Sequence, residues 1–134
     1  MNATRCVWVD SWAYQCCGTE FAVGSTVEWN LRGLSDGERR FFTIVLGAEQ
    51  AARITDAHDD HGIGDHLAIE VQLVTGVVMA VDDVSWKVHP LAEDNPTTDA
   101  MGFYAAPGTL RIERRSSAQK WGSASGFLVE LEVE

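Results

Sequence analysis

Residues 6–29, CVWVDSWAYQCCGTEFAVGSTVEW, hold three tryptophans, one phenylalanine and all three cysteines of the chain. Val27 and Trp29 alternate with polar residues, which is the period of a strand with one buried face. Gly24 comes just before this strand and favours a tight turn, because glycine adopts positive φ angles without steric cost. Residues 6–10 place apolar side chains on both faces, which predicts a strand buried on two sides.

Outward from this stretch, short apolar segments alternate with turn and loop signals. Helix-forming residues dominate only at 47–55, which predicts a helix of about two turns. A hairpin is expected across the turn dipeptide Pro107-Gly108, and the regular alternation at 127–133 predicts a closing strand. Further strands are predicted at 41–46, 67–73, 76–81, 84–88, 101–106 and 109–115, with turns at 75–76 and 82–83 and loops at 33–40, 56–66 and 90–98.

This pattern predicts an all-β fold with roughly seven to nine short strands and at most one short helix. A length of 134 residues fits one domain with its own core, so we predict a single small β-barrel domain over residues 1–134. The F-x-V-G-x-x-V-x-W pattern at 21–29 resembles the strand and turn pattern of SH3-like barrels. That resemblance concerns core and turns, and it transfers no function.

The charge balance argues against nucleic acids and anionic membranes as binding partners. Twenty acidic and ten basic residues give a net charge of −10, which repels nucleic acids and anionic membrane surfaces. No apolar run of about 18 residues predicts a membrane span, and no secretory leader is recognisable, so a cytoplasmic location is expected. An acidic surface is compatible with a protein partner. The oligomeric state is left open, although an exposed edge strand such as the last one would be able to pair between copies.

Cys16, Cys17, His58 and His61 are candidate zinc ligands, because thiolate and imidazole are groups that Zn²⁺ prefers. Their spacing argues against the site, since adjacent side chains diverge and structural zinc sites usually separate their cysteines by about two to four residues. We therefore expect no cofactor, with zinc as the alternative.

Other interpretations of the adjacent cysteines also stay open. One of them would be a small buried residue while the other lies at the turn before Gly18, or the two would form a strained vicinal disulfide. A nucleophilic cysteine would need a nearby cation or a helix N-terminus to lower its pKa, and no lysine or arginine is close in sequence.

Asp10, Trp12 and Trp29 are candidates for lining a ligand pocket. An aromatic environment would raise the pKa of the Asp10 carboxyl group by desolvation and suit a general base. The structural alternatives are an Asp-Ser cap at the end of a strand and tryptophans that pack in the core or at a barrel rim.

Several segments resemble a bacterial domain-of-unknown-function family of small β-rich proteins. The most specific are WVDSW at 8–12 and QCCG at 15–18, together with F-x-V-G-x-x-V-E-W, VTGVVMAV and GFLVELEVE further along. The resemblance spans nearly the whole chain and implies a shared fold without a catalytic activity.

Two functional hypotheses follow, and whether the protein is an enzyme is left open. The favoured one is a noncatalytic interaction or regulatory module whose acidic surface meets a protein partner. The alternative is a metal- or thiol-dependent enzyme or sensor that uses the two adjacent cysteines and the histidines of the 56–66 segment.

Overall fold

The computed structural model of the protein describes residues 3–11, 14, 20–59, 64, 68–90, 103–105, 108–118 and 124–133. These residues include eight strands and two helices. The strands are β1 (Ala3–Asp10), β2 (Thr26–Arg32), β3 (Asp56–His58), β4 (Val71–Ser85), β5 (Val88–Pro90), β6 (Phe103–Ala105), β7 (Arg111–Arg115) and β8 (Gly126–Val133). The helices are α1 (Asp36–Leu46) and α2 (Ala48–Arg53).

Six strands form one sheet in the order β2-β3-β1-β8-β4-β7, and β5 pairs with β6 in a second, two-stranded sheet. Strands β1 and β3 are parallel, whereas the other paired strands are antiparallel. Because β2 also pairs with β4, the pairings β2-β3-β1-β8-β4-β2 form a closed circuit, and β7 extends from β4. The protein is therefore mostly β, with a six-stranded sheet and two helices.

Strand β1 is buried on both faces, as its sequence predicts. Val7 and Val9 belong to an apolar cluster on one face of the sheet. Cys6 and Trp8 point to the opposite face, where they form a second cluster with side chains of the two helices. The Trp8 ring lies 4.9 Å from the ring of Phe42, measured between centroids. The helices therefore cover one face of the sheet around β1.

Helix α1 lies where the sequence predicted a loop at 33–40 and a strand at 41–46, and both of these predictions are wrong. The prediction of no more than one helix is wrong as well. Ser35 and Glu38 form a capping box: the Glu38 amide donates to Ser35 Oγ at 3.1 Å, and the Ser35 amide donates to Glu38 Oε1 at 3.0 Å. Phe42 and Leu46, one turn apart, are both buried. The apolar run at 41–46 thus forms a helix because its buried face has period 3.6 and its start is capped.

The helix predicted at 47–55 is confirmed as α2, which is separated from α1 by Gly47 at φ +90°. Neither of the two described helices has the length and hydrophobicity needed to cross a membrane.

Strand β4 is a second correction, because it runs without a break through both predicted turns, at 75–76 and 82–83. Gly76 serves close packing here: a Cβ atom at this position would lie 2.9 Å from Cγ1 of Val133 on β8. Asp82 is opposite Arg114 in the β4–β7 register, and its Oδ1 accepts a hydrogen bond from Arg114 Nε at 2.6 Å. Gly76 therefore belongs to the strand because it allows close packing with β8, and Asp82 because it pairs with Arg114; neither residue forms a turn.

Three further predictions are wrong in detail. Within the described part of the chain, β7 pairs with β4 and β6 pairs with β5, so these two strands do not pair with each other as the predicted hairpin requires. Asp56 and Ala57, expected in an exposed loop, are buried in β3 between β1 and β2. The predicted closing strand is confirmed as β8, but it lies between β1 and β4 and has no free edge for a second copy.

Candidate functional site

Two of the residues proposed from the sequence, Trp29 and His58, are in contact. They lie on the neighbouring strands β2 and β3, and their ring centroids are 5.2 Å apart at an interplanar angle of 88°. Trp29 also meets Phe21 edge to face at 5.0 Å and packs against the first apolar cluster. Both rings are half-buried. This arrangement joins His58 to a group of edge-to-face aromatic rings at the edge of the core.

Asp10 lies elsewhere, exposed at the end of β1 and opposite Gly126. The remaining candidates fall outside the described residues: Trp12, Cys16, Cys17 and His61. Among the residues that the structure describes, no three histidine, cysteine, aspartate or glutamate side chains gather in a way that would hold a metal ion. The zinc site and the ligand pocket at Asp10, Trp12 and Trp29 therefore stay predictions.

A buried arginine joins three elements at one end of the sheet. Arg32, at the end of β2 and 5% exposed, donates to both carboxylate oxygens of Glu38 at 2.7 and 3.0 Å. Its Nε lies 3.2 Å from Oδ1 of Asp59, which also accepts a hydrogen bond from the Gly64 amide. Burial alone would raise the pKa of Glu38, but the hydrogen bonds from Arg32 and the Ser35 amide outweigh it and lower that pKa. The cluster thus contains two ion pairs, and the one between Arg32 and Glu38 holds α1 on the sheet.

A second charged cluster lies beside Cys6 under helix α2. Asp82, 5% exposed, is ion-paired with Arg114 and lies 3.6 Å from Arg53, whose guanidinium also reaches Glu130 at 3.3 Å. Burial raises the pKa of the Cys6 thiol to about 11; Arg53 opposes this shift, and the surrounding carboxylates add to it. The thiol is therefore protonated at neutral pH and is a poor nucleophile.

The most unusual surface of the described chain is one side of β4. Leu73, Val77 and Met79 are 63%, 38% and 49% exposed, and with Thr75 they alternate along one face of the strand. We call these four side chains the β4 face. A register shift between Val78 and Ala80 marks the end of this face. Beyond the shift, Val84 packs in the cluster that includes the helices, whereas Leu73, Val77 and Met79 are exposed.

The register of the neighbouring strands shows what surrounds the β4 face. On β2, Asn30, Glu28 and Thr26 lie opposite Leu73, Thr75 and Val77, and on β8, Glu132 lies opposite Val77. Directly opposed residues of an antiparallel pair share a face, with Cβ atoms about 4.5–5.5 Å apart. Carboxylates therefore flank the apolar side chains on both sides.

A cleft adjoins this face where β4 extends beyond the end of β8. The last β8 pair is Gly76 with Val133, so the part of β4 before Gly76 pairs with β2 but has no β8 residue opposite it. The cleft has a volume of about 490 Å³ and is lined by Arg5, Thr26, residues 73–77, Glu132 and Val133. Leu73, Thr75 and Val77 belong to the β4 face and also line the cleft, so the two surfaces are continuous.

The sequence alone does not reveal this surface. Its signal is the alternation of Leu73, Thr75, Val77 and Met79, which the predicted turn at 75–76 interrupted. Exposed apolar residues in a strand have the same sequence pattern as core residues, so the sequence does not show which of them are exposed.

Comparison with known proteins gives a family and no activity. A family model described as "Family of unknown function (DUF6578)" matches residues 3–133. The chain belongs to DUF6578. This match confirms the resemblance to an uncharacterised domain-of-unknown-function family that the sequence motifs indicated. No curated protein and no solved structure matches the chain. Membership of DUF6578 identifies no substrate or partner.

Proposed function

We propose that this protein is a noncatalytic interaction module, a small β-barrel that binds a protein partner through the β4 face. The closed circuit of strand pairings supports the barrel, because a sheet whose first and last strands pair has no open ends along that circuit. A rigid closed sheet is a suitable support for a binding surface, since its strands hold side chains in fixed register.

One observation carries the proposal: three large apolar side chains, Leu73, Val77 and Met79, are exposed along one face of a single strand. Contiguous exposed apolar surface with a polar rim is typical of protein interaction sites. Thr26, Glu28 and Asn30 supply such a rim on β2. Beyond Ala80, the helices cover the same face of β4. A bound partner would cover the exposed part of that face.

The described charged groups favour binding over catalysis. Arg32, Glu38 and Asp59 form a closed ion-paired cluster, and Asp82 is held by Arg114. These contacts join structural elements to one another. Cys6, the one cysteine among the described residues, carries a protonated thiol under a helix.

The test compares two apolar-to-serine variants in affinity capture from a lysate of the native host. Leu73→Ser removes the most exposed member of the β4 face, and Ile44→Ser is the matched control, because Ile44 is 43% exposed on helix α1. We expect the wild type and Ile44→Ser to retain the same protein at equal amounts, quantified by mass spectrometry. Leu73→Ser loses that protein while keeping the wild-type melting temperature.

Capture of the same set of proteins by all three chains would refute the proposal, since no partner would then depend on the β4 face. Capture of nothing above background by the wild type would have the same meaning.

A further inference from the structure

We infer that the partner binds by strand addition: an extended segment of another protein pairs with the part of β4 that extends beyond β8, antiparallel to β4 and with apolar side chains beside Leu73. The inference rests on the proposed function and specifies how the partner is held. It is carried by the direction of the β4 backbone groups, by the cleft next to them and by the exposure of Leu73.

The hydrogen bonds of Val78 show which way the backbone groups of β4 point. Its amide donates to the Ser25 carbonyl at 2.9 Å and its carbonyl accepts from the Gly24 amide at 2.8 Å, so both groups face the chain that leads into β2. In an antiparallel pair, only every second residue exchanges hydrogen bonds with a given neighbour. Residues 72, 74 and 76 therefore face β2, whereas the backbone groups of Val71 and Leu73 point to the opposite edge.

Strand β8 occupies that opposite edge only as far as Gly76, which is paired with Val133. Among the residues that the structure describes, none forms a hydrogen bond with the backbone groups of Val71 or Leu73 on this side. We call this side of residues 71–75 the open edge. A strand edge with free donors and acceptors is a template for a further strand, because an extended chain presents matching groups at the same spacing.

The cleft shows that there is room for such a strand. It has a volume of about 490 Å³ and is lined by residues 73–77 of β4 together with Val133 of β8, so it lies where a continuation of β8 would run. A residue of the added strand opposite Leu73 would have its Cβ atom about 5.5 Å away or closer, on the same face. Leu73 is 63% exposed, and an apolar side chain at that position would cover it.

Antiparallel pairing couples the side chains of the partner segment to its amides. The residue that exchanges both hydrogen bonds with Leu73 also places its side chain on the face of Leu73. The partner amides that bond to the open edge thus belong to the same residues whose apolar side chains meet the β4 face. Contact through side chains alone does not require this coupling, so it distinguishes strand addition from simple apolar contact.

A second copy of this chain fits the open edge poorly. Antiparallel pairing of two copies centred on Leu73 would place Glu70 of one copy opposite Gly76 of the other, which is the position that Val133 occupies. Registers that avoid this overlap use residues before β4, where Ala68 has φ +55° and the extended conformation ends. A segment of another protein that stops opposite Thr75 has no such overlap.

The test uses fluorescein-labelled peptides of sequence TVTVTVT with the folded full chain, and fluorescence anisotropy gives the affinities. One peptide is unmodified, a second is N-methylated at its three valines, and a third at its last three threonines. We expect the valine-methylated peptide to bind at least about tenfold more weakly than the other two, because the valine amides face β4 when the valine side chains lie beside Leu73. The polar peptide TSTSTST should also bind at least about tenfold more weakly than TVTVTVT, since it buries little apolar area.

Hydrogen exchange of individual amides, followed by ¹⁵N–¹H correlation spectra, locates the added strand. In the free chain, the amides of Gln72 and Val74 should be protected because they face β2, whereas those of Val71 and Leu73 should exchange rapidly. Binding of TVTVTVT should slow exchange at Val71 and Leu73 at least about tenfold.

Leu73→Pro and Leu73→Ala form a matched pair of variants. Both remove the leucine side chain, and only proline removes the amide that faces the open edge. Proline is tolerated at edge positions whose N–H points away from the sheet. We expect Leu73→Ala to weaken TVTVTVT binding about three- to tenfold and Leu73→Pro to abolish it, with both chains folded by circular dichroism. If Leu73→Pro does not fold, the methylated peptides decide the question.

The outcomes separate this inference from the proposed function. Equal binding of the two methylated peptides, weaker binding of the threonine-methylated one, or protection of Val71 and Leu73 in the free chain would overturn strand addition. Self-association of the wild type that Leu73→Pro abolishes, measured by sedimentation velocity, would identify a second copy as the occupant and also overturn it. If no peptide binds, the inference fails, and the Leu73-dependent capture experiment decides the fate of the proposed function separately.

Discussion

Replacing Arg32 with methionine tests whether the buried ion-paired cluster holds helix α1 on the sheet. The side chain of Arg32 is 5% exposed and that of Asp59 7% exposed, so the variant leaves Asp59 buried without its cation. It also removes both hydrogen bonds from the guanidinium to Glu38. Breaking a buried pair by removing one partner typically costs about 3–5 kcal/mol. Methionine keeps much of the apolar stem, so the loss reports the charge and its hydrogen bonds.

The measurement is urea-induced unfolding, followed by fluorescence and circular dichroism at neutral pH. We expect Arg32→Met to lower the free energy of unfolding by about 3–5 kcal/mol, which is a large part of the roughly 5–15 kcal/mol that stabilises a typical domain. Arg40→Met is the control: Arg40 is exposed on the same helix, and its replacement should change stability by no more than about 0.5 kcal/mol.

The pH dependence gives the same experiment a second readout. The pKa of Glu38 is lowered in the folded state, so its ionised form stabilises the protein above its unfolded pKa of about 4.3, and this contribution is lost as the pH falls through the folded value. Without Arg32, the largest stabilising partner of that carboxylate is gone. The difference in stability between the wild type and Arg32→Met should therefore shrink below about pH 4. A cost under about 1 kcal/mol at neutral pH, or a difference that stays constant with pH, would refute this account.

Four further predictions concern packing, helix propensity, the described thiol and metal content. Gly126→Ala should lower stability by about 1–3 kcal/mol in urea unfolding, because its Cβ would lie 2.9 Å from Cε2 of Trp8 and closer to two other ring atoms. Gly37→Ala should raise stability by about 0.4–1 kcal/mol, since a Cβ there meets nothing nearer than Ser35 Oγ at 3.9 Å. In a variant with serine at the other two cysteines, Cys6 should not react with a thiol reagent at about pH 8 until the protein unfolds, because its pKa is raised to about 11. Elemental analysis of untagged protein should find no zinc in stoichiometric amount.

Each of these predictions has a contradicting result. Unchanged stability of Gly126→Ala would mean that the Trp8 ring has room to move, and destabilisation by Gly37→Ala would mean that this position needs glycine. Rapid modification of Cys6 in the folded chain would show that helix α2 opens readily. About one zinc per chain would restore the hypothesis of a cysteine and histidine site.

Strands were predicted well where one period dominates the sequence. Apolar and polar residues alternate in β2 and β8 because one face of each strand is more buried than the other, and β1 is continuously apolar because both of its faces are buried. These patterns identify all three strands. Helix α1 was missed because the apolar run at 41–46 fits either a buried strand or the buried face of a helix. The Ser35 and Glu38 capping box three residues apart was the deciding signal, and it was readable from the sequence.

Other features could not be obtained from local pattern. Gly76 and Asp82 resemble turn residues, and only the approach of β8 and β7 explains why they belong inside β4. The same is true of the candidate site: Leu73 and Val77 have the pattern of core residues, and their exposure depends on where the helices end. Which strands pair, and which strand faces the helices cover, depend on tertiary structure and cannot be read from the local sequence pattern.

The pairing of β1 with β8 has a consequence for how the chain is made. All eight residues of β1 lie opposite β8, from Ala3 with Val133 to Asp10 with Gly126, whereas β3 pairs with only two of them. At a synthesis rate of about 5–20 residues per second, β1 is made on the order of ten seconds before its main partner. During that interval the apolar side chains and backbone groups of β1 lack their final contacts, which favours aggregation or chaperone binding. Folding of this sheet is therefore completed only once residues 126–133 have left the ribosome.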